Sequence, residues 1–158
     1  MILFGIFVYL YIKFVVSNLV SNYKILKEYN LIVEYHTGIL DADSFINFKK
    51  NITLDPLFLP NLNYFVHLKK VTFSTNLADI NKYINFLEIN SKVFGDRHVA
   101  IITDTPNQVV CSMMFKNLQQ NKAKSIEVFS TNENALEWLN SNLDKNEILD
   151  VLEALKLP

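Results

Sequence analysis

Three histidines, two carboxylates and one thiol are the side chains that could carry metal binding, proton transfer or nucleophilic attack in this chain. His36, His67 and His98 each stand on or beside a different predicted strand, and no two have the spacing of a close ligand pair. A zinc site needs them to converge with an acidic residue; three separate strand-edge or hydrogen-bonded imidazoles are the plainer reading. Glu34 and Asp104 have the chemistry of a general acid and base, as a hydrolase or transferase working with His36 would use them, although carboxylates at strand ends are common. Cys111 falls in the first turns of a predicted helix, where the helix dipole favours a thiolate, but its neighbours Val110 and Met113 turn it toward packing. The only glycines are Gly5, Gly38 and Gly95, so neither glycine-rich phosphate loop is present, and a G-x-S-x-G nucleophile elbow is missing as well. The expectation is no catalytic set, no metal and no cofactor.

One polar stretch stands out. Lys69, Lys70, Ser74, Thr75 and Asn76 follow a predicted strand and enter a predicted helix. Backbone N–H groups and the positive helix end at such a junction receive an anion or a partner, and a hydroxyl there can accept a phosphoryl group. The alternative is that Ser74 or Thr75 only caps the helix.

The elements that position these residues alternate. Tyr23 to Lys27 and Leu31 to Thr37 are β-prone runs split by a turn at Glu28-Tyr29-Asn30, with Gly38 ending the second. Leu31, Val33 and Tyr35 alternate with Ile32, Glu34 and His36, which puts Glu34 and His36 on one face. Asp41 precedes Ser44 by three, and Phe45, Phe48 and Ile52 follow at helical spacing. Asn63 to Leu68 resumes as a strand, then Asn76 and Asp79 form a capping box before the stripe Leu77, Ile80, Tyr83, Ile84 and Leu87. His98 to Thr103 suits a central strand covered on both faces. Thr105, Pro106 and Gln108 are the strongest helix start in the chain, with Val109, Val110, Met113, Met114 and Leu118 continuing it. Ser125 to Phe129 is the next strand, Ser130 with Glu133 starts a helix containing Leu136 and Trp138, and Asp144 caps a last one striped by Ile148, Leu149, Leu152 and Leu155. The indole of Trp138 is expected to cover the sheet, and the terminal leucines to cover a sheet or, in a homodimer, a second subunit. The order predicts an α/β fold, a mixed but mostly parallel sheet with helices packed against it and an initial β-hairpin.

At 158 residues, half of them apolar, the chain has the size of one globular domain. Fifteen Lys and Arg against 16 Asp and Glu leave a formal charge of -1, which gives no basic footprint for nucleic acid, and a single Cys excludes an intramolecular disulfide. Residues 2–20 are apolar but for Gly5, Lys13, Ser17 and Asn18. As a helix the run nearly crosses a bilayer of roughly 30 Å, with Lys13 costing about 2.5–3.5 kcal/mol near its centre. Lys24 and Lys27 behind it would place the domain on the cytoplasmic side, anchored to the inner membrane. Two other readings stand beside the anchor: an upstream extension of the reading frame outside the working protein, or an element buried in an oligomer. The expected division is therefore a leader or anchor over 1–21 and a domain over 22–158.

Over Tyr23 to Leu143 the chain resembles the SpoIIAA-like group of the STAS superfamily, the fold of bacterial anti-sigma factor antagonists and of the cytoplasmic domains of sulfate transporters. The resemblance rests on the strand Val33-Glu34-Tyr35-His36-Thr37-Gly38 with its acid-capped helix, on Val99-Ala100-Ile101-Ile102-Thr103, and on Val128-Phe129-Ser130-Thr131 followed by Ala135-Leu136-Glu137-Trp138-Leu139. It implies a non-enzymatic regulatory module with a protein partner. In the antagonists a serine at a helix start, usually after aspartate, receives phosphate; Ser74 or Thr75 is nearest that position, and Phe73 stands where the aspartate would be. Other relatives hold lipids or small apolar ligands between sheet and helices, which 12 Phe and 7 Tyr permit. A small apolar ligand is thus the alternative to a protein partner.

Overall fold

The computed structural model describes residues 18–119 and 125–157. Strand β1 (Val20–Leu26) turns through a short 3₁₀ segment at Lys27–Tyr29 and Asn30 into β2 (Leu31–Leu40). Then come α1 (Ala42–Thr53), β3 (Asn63–Phe73), α2 (Leu77–Ile89), the single turn α3 (Ser91–Phe94), β4 (Val99–Ile102), α4 (Pro106–Leu118), β5 (Ile126–Phe129), α5 (Asn132–Trp138) and α6 (Lys145–Leu155). The sheet has the order β1-β2-β3-β4-β5, with β1 antiparallel to β2 and every other pair parallel. The expected mixed, mostly parallel sheet with an initial hairpin is what the chain forms.

Because each parallel connection steps one strand in the same direction, right-handed crossovers put α1, α2 and α4 on one face. The last two helices then close the other. The two apolar cores follow this division: Ile32, Tyr64, Val66 and Ile101 pack with Phe45, Phe48, Leu87 and Phe94, whereas Leu31, Val33, Phe65 and Ile102 pack with Leu136, Ile148 and Leu152. The strand alternation read from Leu31 to His36 is therefore the alternation between two helical layers.

Several boundaries differ from the sequence expectation, each for a local reason. Strand β2 runs through Gly38, which adopts a φ of 88°, to Leu40. β3 continues five residues past Leu68. Tyr35 pairs with His67 and Thr37 with Lys70, so Leu68 and Lys69 together oppose His36. That bulge resets the alternation and turns Val71 and Phe73 to the α1/α2/α4 face, which hides the strand from a period-two reading. The α5 cap is Thr131, whose hydroxyl accepts from Asn134 N–H, not Ser130. On α4 the buried positions are Gln108 and Ser112, while Val109, Val110, Met114 and Leu118 are exposed.

The expected membrane association, and with it anchoring to the inner membrane, is corrected. No helix among the described residues is long and apolar enough to cross a membrane. The end of the 2–20 run is sheet: Asn18 bridges Ile39, and Val20 opens β1 opposite Thr37, so hydrogen bonds of this backbone go to a strand and not to a helix. The rest of that run, residues 1–17, lies outside the described residues.

Candidate functional site: an apolar cavity backed by a buried polar chain

A cavity of about 510 Å³ lies between the sheet and the layer of α1, α2 and α4. Its wall is mainly apolar, with Val66 and Ile101 from the sheet and Phe45, Leu87 and Phe115 from the helices. The volume falls within the roughly 300–1,000 Å³ of small-molecule sites. Polar groups interrupt the apolar wall, among them Lys49, Tyr64, Arg97 and Ser112.

Lys49 falls on the apolar stripe of α1, one turn after Phe45, and is 4% exposed. Its Nζ donates to Glu34 Oε1 at 2.5 Å and sits 4.5 Å from the Tyr64 ring centroid and 5.0 Å from that of Phe45. Glu34 Oε2 lies 3.2 Å from His36 Nε2, and His36 Nδ1 lies 2.7 Å from Ser21 Oγ on the neighbouring strand. A carboxylate only accepts, so His36 Nε2 carries the proton and Nδ1 accepts from the Ser21 hydroxyl. A continuous chain Ser21–His36–Glu34–Lys49 thus runs from the edge strand to the cavity wall.

Burial and charge set the protonation of this chain. Burial pushes the Glu34 carboxyl up, but the Lys49 charge and the bonds from His36 and Lys49 outweigh it, and its pKa falls below 4.5. Burial lowers the His36 pKa below 6.5 against the opposing pull of Glu34, leaving the ring neutral at pH 7. Lys49 is likewise lowered by burial and partly restored by Glu34. One buried cation and one buried anion neutralise each other.

Arg97 is different. Its Cζ stands 4.9 Å from the Phe94 ring centroid and 5.5 Å from that of Tyr64, and one amino group donates to Gly95 O at 3.1 Å. It makes no ion pair with a carboxylate among the described residues. The hydroxyls of Tyr64 and Ser112, buried at 2% and 3% exposure, have no hydrogen-bond partner among the described residues. Burial drives the Tyr64 phenol well above 10, so it is a neutral donor.

The residues singled out from sequence divide around this cavity. Thr75 lines it, with its hydroxyl 3.9 Å from Cys111 Sγ, and Cys111 also lines it. Ser74 is exposed, and Asn76 is the N-cap of α2 in the expected reciprocal box with Asp79. Lys70 is exposed within β3, and Lys69 lies in the same strand, where its charge acts on His67 and Glu133 toward the α5/α6 side. The five do not converge on one point. Glu34 and His36 meet as partners, whereas Asp104 is exposed and outside that chain. His67 stacks on Tyr35 at 5.1 Å and His98 packs edge-on against Trp138 at 5.2 Å. Among the described residues no group of three or more His, Cys, Asp or Glu could hold a metal ion.

Lys49, Tyr64, Arg97, Ser112 and Ser21 were not legible as site residues from sequence. One signal was present: Phe45, Phe48, Lys49 and Ile52 share a helical face, so a lysine sits where the stripe demands an apolar residue.

This architecture, an antiparallel hairpin leading into a parallel sheet with helices on both faces, is the SpoIIAA-like, STAS-like fold. A solved structure with that fold, of an uncharacterised protein of the DUF3478 family from Shewanella loihica PV-4, superposes with a TM-score of 0.50 over 78% of this chain and 97% of that one, at 16% identity. No family model and no curated protein matches the sequence. The likeness is one of fold.

Proposed function

We propose that this protein binds a small, largely apolar molecule in the cavity between the sheet and α1, α2 and α4. The observation that carries this reading is a cavity of about 510 Å³ walled by aromatic and aliphatic side chains. A packed interior leaves few voids larger than a water molecule, so a space of this size in a chain with two developed cores is a binding site in form. The Ser21–His36–Glu34–Lys49 chain holds β1, β2 and α1 together behind it and keeps that wall rigid.

Native mass spectrometry of the full chain, purified without detergent, tests the reading. A co-purifying organic ligand, or uptake of Nile red that Ser112→Phe abolishes by filling the cavity, is the expected result. No bound mass and no dye uptake by a folded protein would overturn it.

A second reading is a protein-binding regulatory module, and one observation favours it. Val109, Val110, Met114 and Leu118 leave an exposed apolar strip on α4, at 40%, 56%, 36% and 48% exposure. Its test is a pull-down with Val110→Glu/Met114→Glu as the control: a partner that the double variant loses supports a docking role, and a partner retained by both removes it.

A further inference from the structure

Resting on the cavity as an apolar-ligand site, we infer that its ligand is a single-chain amphiphile with a carboxylate head, seated on Arg97 and the Tyr64 hydroxyl. The argument is one of unmatched groups. Lys49 is already neutralised by Glu34 at 2.5 Å, whereas Arg97 reaches the same wall with no carboxylate partner among the described residues. Its guanidinium offers a planar pair of donors that matches the two oxygens of a carboxylate. Beside it, the Tyr64 hydroxyl is buried, neutral and without a hydrogen-bond partner among the described residues, a second donor for the same head. One uncompensated positive charge fits a monoanion better than a dianionic phosphate.

The remaining acids of the wall are Asp79, Glu88 and Asp96. Asp79 accepts from Asn76 N–H in the α2 cap, and Glu88 and Asp96 are exposed to solvent, where their charges are screened. Arg97 instead is half-buried between two rings, where an ion pair is weakened less by water. From the head, Leu87, Ile101 and Phe115 offer an apolar path for the tail.

Calorimetry of the full chain with decanoate, decanol, decylamine and decyl phosphate tests the assignment. Decanoate is expected to bind at least about tenfold tighter than decanol, with decylamine weakest, as a charge-assisted pair implies. Arg97→Gln is expected to remove that preference, bringing decanoate to the level of decanol in the same variant, and Arg97→Lys to restore part of it. Circular dichroism and decanol binding show that each variant is folded. Equal binding of decanoate and decanol, tighter binding of decyl phosphate, or an Arg97→Gln protein that keeps its preference overturns the carboxylate head while the apolar site stands. Failure of all four to bind overturns both.

Discussion

Lys49 is a charge placed on an apolar helix face, and its partner Glu34 is completely buried on β2. Glu34→Gln leaves the ammonium without its counter-ion, and urea unfolding at pH 7 is expected to show a loss of about 3–5 kcal/mol. Replacing both, as Glu34→Leu/Lys49→Met, is expected to recover most of that loss. The imidazoles give the acid behaviour. His67 is depressed from 6.5 to about 4, chiefly by burial with the Lys69 charge adding to it, and His36 is lowered in the same sense. Their neutral forms are favoured by folding, so this stability is complete above pH 6.5 and is lost as pH falls toward 4. The Glu34 carboxylate adds a loss of the same sign further toward acid. For His67 alone the shift amounts to about 3 kcal/mol. Thermal unfolding between pH 7 and pH 4 is expected to show a fall in Tm that His67→Phe makes shallower. Sequence could place Glu34 and His36 on one face of a strand, because period two is a local property. It could not supply Ser21 or Arg97, since the first meets His36 only through strand pairing and the second reaches Tyr64 only through folding.

At the scale of elements, caps were legible and orientation was not. Asp41, Asn76, Thr105 and Asp144 each cap the helix that the sequence assigns to them, because a cap needs only residues three apart. Helix α4 is the contrary case. It carries apolar residues around most of its circumference, and what decides its inner face is Gln108, whose Oε1 accepts from the N–H groups of Asp104 and Thr105 while its Nε2 donates to the carbonyls of Lys69 and Val71. Gln108→Ala breaks the cap and the tie to the bulged part of β3 together, and a cost of about 2–3 kcal/mol in chemical denaturation is expected. Gly95 is as constrained as α4 is adaptable. Its φ is 66°, and a Cβ would stand 2.1 Å from Asn61 Oδ1, the acceptor for Asp96 N–H. Gly95→Ala is expected to shift the loop that presents Arg97 and to lower Tm, read by differential scanning calorimetry.

For the molecule as a whole, the alternating order of strands and helices was readable because each element has its own period and its own stop signals. The two-layer arrangement then follows from the handedness of the crossovers. The cavity did not follow: it is a remainder left among Phe45, Leu87, Phe115 and the sheet, and a remainder has no sequence signature. The sheet order has a consequence for assembly on the ribosome. Every strand is laid down beside the one synthesised just before it, so the growing chain has a docking edge ready for each new β unit and no strand waits for a distant partner. The face formed by Val33, Phe65 and Ile102 is the exception: its cover, α5 and α6, emerges last, and until then a nearly complete sheet presents bare aliphatic and aromatic surface to chaperones or to its own copies.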